Sequence, residues 1–272
     1  MTEQPWAADD AVPDIGVELP NPARIYDYLL GGGHNFAADR EAAERIVALI
    51  PRAREAIRCN RAFLRRAVLF LVSQGVRQFL DLGSGVPTVG NVHEIAQQAD
   101  QQARVVYVDK EPIAVSHSRL LLEGNERATV IQADMCEPET ILKAPETQCL
   151  LDFDQPIGLL TVAVIHFMPD ELRPGDLLGT YRDRLAPGSY LALSHATADT
   201  NSPEVVKAME VYRRSGSPLY PRSYAEISGL FDGFGLVEPG VVSADQWHPE
   251  TPDDPGPDAE YGEFLVGLGR KA

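Results

Sequence analysis

Three carboxylates recur through the middle of the chain, each at the end of an apolar run. Asp81 lies in "FLDLGSGVPTVG", two residues ahead of Gly83, Ser84 and Gly85. Asp109 closes "ARVVYVD", with Lys110 beside it, and Asp134 closes "ATVIQAD", with Met135 following. In an open α/β sheet, ligands bind beyond the carboxyl ends of the strands, so acids placed there can meet a bound molecule. The Gly-Ser-Gly turn lets backbone approach that molecule closely. It is not the dinucleotide fingerprint, because Thr88 stands where G-x-G-x-x-G needs its third glycine. It is not a phosphate loop either, since no Lys-Ser/Thr follows. An acid this near the turn repels a pyrophosphate and suits an ammonium or hydroxyl group. That favours S-adenosylmethionine, with Asp81 near the methionine part, Asp109 on the ribose hydroxyls, and Asp134 with Met135 at the adenine. The bland alternative is an ordinary tight strand-helix turn beside solvated acids.

Two histidines follow later apolar runs: His166 in "VAVIHFMPD" and His195 in "YLALSHAT". A histidine at a strand end can accept a proton near neutral pH, so both are candidate catalytic bases. A structural histidine bonded to backbone is the competing reading. Arg54, Arg58, Arg61 and Arg65 form one helical face. They are either a solvated stripe or, through Arg61, an anchor for an anionic group. The stretch "DYLLGGGHNF" spends three consecutive glycines after a short amphipathic run. It is either a lid that folds back over the ligand, with Tyr28, Gly33, Asn35 and Phe36 as contacts, or a hinge that ends a helix. No His, Cys or acid spacing suggests a metal site.

The elements that must position these residues alternate. Helical periods cover about 23–30, 39–50 and 53–73. From residue 76 onward, apolar runs alternate with helical segments, including the continuous run "PIGLLTVAVIHF" and two late strands near 235–243 and 261–270. This is a doubly wound α/β sheet. The expected organisation is a loose leader over 1–22, an N-terminal helical lid or cap over 23–75, and a Rossmann-like domain over 76–272 with an insertion at 199–222. "HPETPDDPGPD" forms an acidic, Pro-rich loop.

At these segments the chain resembles the class I S-adenosylmethionine-dependent methyltransferases. More narrowly, "NPARIYDYLLGGGHNFAADREAAERI", "NRAFLRRAV", "QFLDLGSGVPTVGNVHEIAQ", "VVYVDKEPI" and "LAPGSYLALSH" resemble a bacterial family of S-adenosyl methyltransferases long catalogued as a domain of unknown function. The resemblance implies a seven-stranded sheet with a reversed last strand and S-adenosylmethionine as cofactor. It supplies no acceptor.

With 40 acidic against 24 basic side chains, the net charge of −16 works against a nucleic-acid or membrane-surface partner. Three cysteines without a CxxC pair suit a reducing cytoplasm. The expected partner is a small molecule. Two other readings stay open: a non-catalytic S-adenosylmethionine-binding or sensing protein, and a nicotinamide-dependent oxidoreductase.

Overall fold

The computed structural model describes residues 17–88, 90–199, 203–250 and 264–272. Three helices come first: α1 (Pro22–Leu29), α2 (Ala37–Leu49) and α3 (Ala53–Ser73). The alternating part follows as β1 (Gln78–Leu82), α4 (Val92–Ala99), β2 (Arg104–Asp109), α5 (Pro112–Leu121) and β3 (Ala128–Gln132). Two short helices, α6 (Pro138–Leu142) and α7 (Pro145–Leu150), lead to β4 (Gly158–Val162). Both open on proline, whose fixed φ suits a first helical turn. The chain continues through α8 (Pro174–Arg184), β5 (Tyr190–Ala196), α9 (Pro203–Arg214) and α10 (Tyr224–Gly229). It ends with β6 (Gly235–Leu236), β7 (Val242–Ser243) and β8 (Phe264–Arg270).

The sheet order is β3-β2-β1-β4-β5-β8-β6, with β7 also on β8. The first five strands run parallel, and β8 runs antiparallel to β5. The expected late strand at 235–243 is broken in two: β6 pairs with Gly269 and Arg270, β7 with Leu265 and Val266. The sheet therefore has seven positions, with an interrupted edge. Side chains alternate between two cores. Phe79 and Val105 face Phe63, Ala67 and Leu71 of α3. Leu80, Leu82 and Val106 face Leu178 and Tyr181 of α8 and Ile227 of α10.

The run "PIGLLTVAVIHF" is strand for only its first half. Ala163 takes a left-handed φ of 56°, its N–H going to Ser194 Oγ at 2.8 Å. The chain then makes a 3₁₀ turn over Ile165–Phe167. This bend sets Val164 and His166 at the carboxyl edge.

The helical cap has its own small core of Ile25, Leu29, Ala43 and Ile46. A buried ion network ties it to the sheet. Arg24 gives Nε–H to Asp39 of α2 and Nη1–H to Glu111 at the start of α5, both at 2.8 Å, and Nη2–H to the Leu19 carbonyl. Asp39 also accepts from the Asn21 and Phe36 amides. Asn21 in turn caps α1 through the Ala23 amide. The expected leader of 1–22 is thus pinned over its last residues, while residues 1–16 lie outside those described. Removing one partner of a buried charge pair typically costs about 3–5 kcal/mol, because the other stays buried and uncompensated. Arg24→Met strands two carboxylates at once. It is expected to lower stability by about that amount, read as a fall in the urea midpoint at pH 7.5. An unchanged midpoint would show that the network does not couple cap to sheet.

Candidate functional site

A cavity of about 670 Å³ opens where the carboxyl ends of β1, β2, β4 and β5 meet the cap. Its floor is the Gly-Ser-Gly turn. Gly83 and Gly85 both have left-handed φ, 67° and 69°. A Cβ on Gly83 would sit 2.2 Å from Val164 Cγ2, so position 83 packs too closely for any side chain. A Cβ on Gly85 would meet only Ala23, at 3.7 Å. Ser84 Oγ is buried with no hydrogen-bond partner among the described residues.

The three acids converge on this floor. Asp109 accepts the Gly85 amide at 2.7 Å on one oxygen and the Glu111 amide at 2.8 Å on the other. It therefore fixes the turn as well as facing the cavity. Burial nonetheless holds its carboxyl above the ordinary value. Asp81 is buried, and that burial pushes its pKa up to about 7; Arg61 opposes the shift and Asp109 adds to it. Asp134 accepts the Cys136 amide and lies 3.6 Å from Lys110 Nζ, with Met135 beside it in the wall. Arg61 lines the same cavity.

These residues suit S-adenosylmethionine: a carboxylate at each of three strand ends, and a turn with glycine at two of its three positions and a buried Ser84 hydroxyl at the third. A family model described as S-adenosyl methyltransferase matches residues 8–272. The chain belongs to that family. A crystal structure from Thermobifida fusca YX, which carries a provisional methyltransferase name, is 40% identical over 96% of this chain and 99% of its own, with a TM-score of 0.88. A DUF574 family protein from Streptomyces avermitilis MA-4680 is 38% identical over 95% of this chain and 100% of its own, with a TM-score of 0.91. Human N-acetylserotonin methyltransferase, solved in complex with SAM, shares the fold at 16% identity and a TM-score of 0.51, over 95% of this chain and 65% of its own. No curated protein matches the sequence.

Within this S-adenosylmethionine-dependent methyltransferase, the expected site residues divide. Arg61, Asp81, Gly83, Ser84, Gly85, Asp109, Lys110, Asp134, Met135 and His166 line the cavity. Tyr28, Gly33, Asn35, Phe36 and His195 are not among its lining residues. Of the arginine stripe, Arg54 pairs with Glu44 at 2.7 Å and stacks over Tyr28, and Arg65 pairs with Glu250.

The triple glycine has a local cause. Gly31, with φ 87°, terminates α1. The loop then wraps the buried Asp27 carboxylate, whose Oδ2 accepts the His34 amide and Asn35 Nδ2, both at 2.8 Å. A Cβ on Gly32 would lie 1.9 Å from Asp27 Oδ1. Phe36 meanwhile lies under the Arg24 guanidinium, 5.4 Å from its ring centre. The stretch is a folded helix terminus on the far side of α1 and not a flap across the cavity. Tyr26, two residues before Tyr28, is the tyrosine that reaches the cavity; two residues turn a helix by roughly 200°, onto the opposite face.

His195 is fully buried, and both ring nitrogens are used. Nδ1 donates to the Ala196 carbonyl at 2.8 Å, and Nε2 accepts from Arg222 Nη1 at 2.8 Å. Burial, with Arg222 adding to it, drives its pKa down to about 4, although the Ala196 bond opposes the shift. A nitrogen already accepting from arginine is no base for a substrate proton. Arg222 went unnoticed in the sequence, where a lone arginine among "LYPRSY" carries no signal. It also holds Asp170 at 2.6 Å and the Met168 carbonyl at 2.9 Å, bracing the wall behind His166.

Gly32→Ala is expected to cost about 1–3 kcal/mol, the usual range for overpacking. Gly33→Ala, which meets open space, is expected to leave both stability and S-adenosylhomocysteine affinity within twofold of wild type. Urea melts and calorimetry check the pair; a tenfold loss of affinity in Gly33→Ala would restore the lid.

Proposed function

We propose that this chain transfers the methyl group of S-adenosylmethionine to a small molecule bound in the same cavity, in the reducing cytoplasm. The observation that carries the reading is the cavity itself. One side is lined by acids at the ends of β1, β2 and β3, and the other by apolar and aromatic side chains from the cap, β4, β5 and α9. Such a space suits a polar cofactor and a less polar acceptor side by side. Cys59, Cys136 and Cys149 form no disulfide among the described residues, which is consistent with a reducing compartment. No described helix is long and apolar enough to cross a membrane.

The residues have distinct parts. Asp81 takes the cofactor ammonium, and Arg61, from α3 above it, takes the neighbouring carboxylate. Asp109, held by the Gly85 and Glu111 amides, still has lone pairs for ribose hydroxyls. Asp134 accepts from the adenine amine, and Met135 packs on the ring. Gly83 and Gly85 let the methionine chain lie against backbone, and Ser84 Oγ, with no partner among the described residues, finds one there. The cofactor supplies an activated methyl that an acceptor lone pair displaces in line. The protein contributes alignment and exclusion of water by the cap. Incubation with methyl-labelled S-adenosylmethionine and a panel of small acceptors, read by mass spectrometry, tests this. Labelled product with matching S-adenosylhomocysteine is expected. Binding of NADH without binding of S-adenosylmethionine would overturn it.

Asp81 adds a pH signature. Its proton must leave before it can pair with an ammonium. Below the raised pKa of about 7, the cavity with no cofactor bound holds the carboxyl protonated. The cofactor ammonium keeps its charge in that range, since an α-amino group titrates near 7.7–8.0. Affinity is therefore expected to fall roughly tenfold per unit as pH drops from 7 towards 5. Asp81→Asn is expected to bind more weakly at pH 7.5 and to lose the slope. Isothermal titration across buffers checks both; a wild-type affinity flat from pH 5 to 7 would exclude Asp81 as the ammonium partner.

A further inference from the structure

The cavity is sorted by charge. Its charged lining side chains among the described residues are Arg61, Asp81, Asp109, Lys110, Glu111 and Asp134. All come from α3 or from the ends of β1, β2 and β3, where the cofactor belongs. Among the described residues, the half built by α1, α2, β4, β5, α9 and residues 216–221 contributes none. An ammonium placed there would leave water and meet no carboxylate among the described lining residues. Among those same residues a carboxylate would find only Arg61, whose charge already acts on Asp81. Burying either ion without a counter-charge is costly.

His166 is the polar group best placed in that half. It is buried, and it follows the bend at Ala163. The Ala196 amide points at its Nδ1, 3.3 Å away. An imidazole nitrogen that accepts from backbone leaves the proton on the other nitrogen. Burial, together with His195 and Arg222 behind it, holds the ring well below its usual pKa, so it stays neutral. His166 is thereby wired as a donor through Nε2–H, with no lone pair left to serve as base. Aromatic faces surround it: Phe167 at 4.6 Å and Phe264 at 5.9 Å between ring centres, with Tyr212 a further 5.9 Å beyond Phe167.

We propose that the methyl acceptor is an uncharged, largely apolar ring compound held by one hydrogen bond that His166 Nε2–H donates. This rests on the methyltransferase reading above. A buried donor discriminates strongly, because a ligand lacking the matching acceptor atom leaves it unsatisfied. The ring requirement follows from the aromatic surround, and the neutrality from the missing counter-charges.

Four indoles separate these features. 3-Acetylindole is neutral with a carbonyl, indole is neutral without one, tryptamine is a cation, and indole-3-acetate is an anion. Each is titrated by calorimetry into protein saturated with S-adenosylhomocysteine. 3-Acetylindole is expected to bind at least roughly tenfold more tightly than either charged probe. His166→Phe is expected to cost 3-acetylindole roughly tenfold while leaving indole within twofold, and His166→Gln, which keeps an N–H near the Nε2 position, to restore most of the loss. A charged probe binding as tightly as 3-acetylindole overturns the proposal, as does a His166→Phe variant with undiminished preference for 3-acetylindole over indole. S-adenosylhomocysteine affinity, measured first on every variant, reports an intact fold. Its absence in wild type would sink the methyltransferase reading, whereas its presence with the wrong probe order sinks only this one.

Discussion

Arg24 is the constraint on which the cavity depends. Its guanidinium is almost wholly buried and joins three separate parts of the chain: the Leu19 carbonyl, Asp39 of α2 and Glu111 of α5. Glu111 also caps α5 through the Ala114 amide and gives its own amide to Asp109. Asp109 in turn holds the Gly85 amide. One line of hydrogen bonds therefore runs from the cap, through the start of α5, to the turn on the cavity floor. A buried ion pair is a poor source of net stability, but it is intolerant of misplacement. Here that intolerance sets where the roof sits over the floor.

The charge sorting of the cavity follows from topology. At β2 and β3 the acids are partly compensated by loop amides, which Asp109 takes from Gly85 and Glu111 and Asp134 from Cys136, whereas Asp81 at β1 has Arg61 to oppose the cost of its burial. Strands β4 and β5 end differently. There the chain bends at Ala163, and polar groups are spent on each other: Ser194 on Ala163, Arg222 on His195 and Asp170. What remains facing the cavity from these ends is mostly apolar, with the Thr197 hydroxyl and one imidazole.

The cavity lining on its acidic side was legible because its signals are local. Each acid sits within two residues of a strand end, and the turn glycines are separated by one residue, so pattern and position coincide. The apolar side was less so. The Arg24–Glu111 bond spans 87 residues and the Arg222–Asp170 bond spans 52, and nothing in a local window marks such pairs. The triple glycine misled for a related reason. Two of the three glycines have a local cause that is not a ligand: Gly31 takes a left-handed φ at the end of α1, and Gly32 lies against the Asp27 carboxylate, while Gly33 meets open space. His195 lies within β5 and is sealed by Arg222 and the Ala196 carbonyl, whereas His166 lies in the turn beyond β4 and lines the cavity, a difference the two apolar runs do not show. Of the sheet itself, the doubly wound α/β class and the reversed last strand agree with expectation, while the apolar run at β4 concealed its bend because Ala163 looks like any other strand residue.

The interrupted edge beyond β8 bears on how the protein behaves in a crowded solution. A long open strand offers a row of unpaired amides and carbonyls to any neighbouring chain. Here that row is cut into two pieces of two residues each, β6 and β7, separated by a turn that carries Pro239 and Gly240. Neither piece is long enough to template a second sheet. An acidic molecule with such an edge resists aggregation at that side of the sheet, so this face can stay open to water without a partner to cover it.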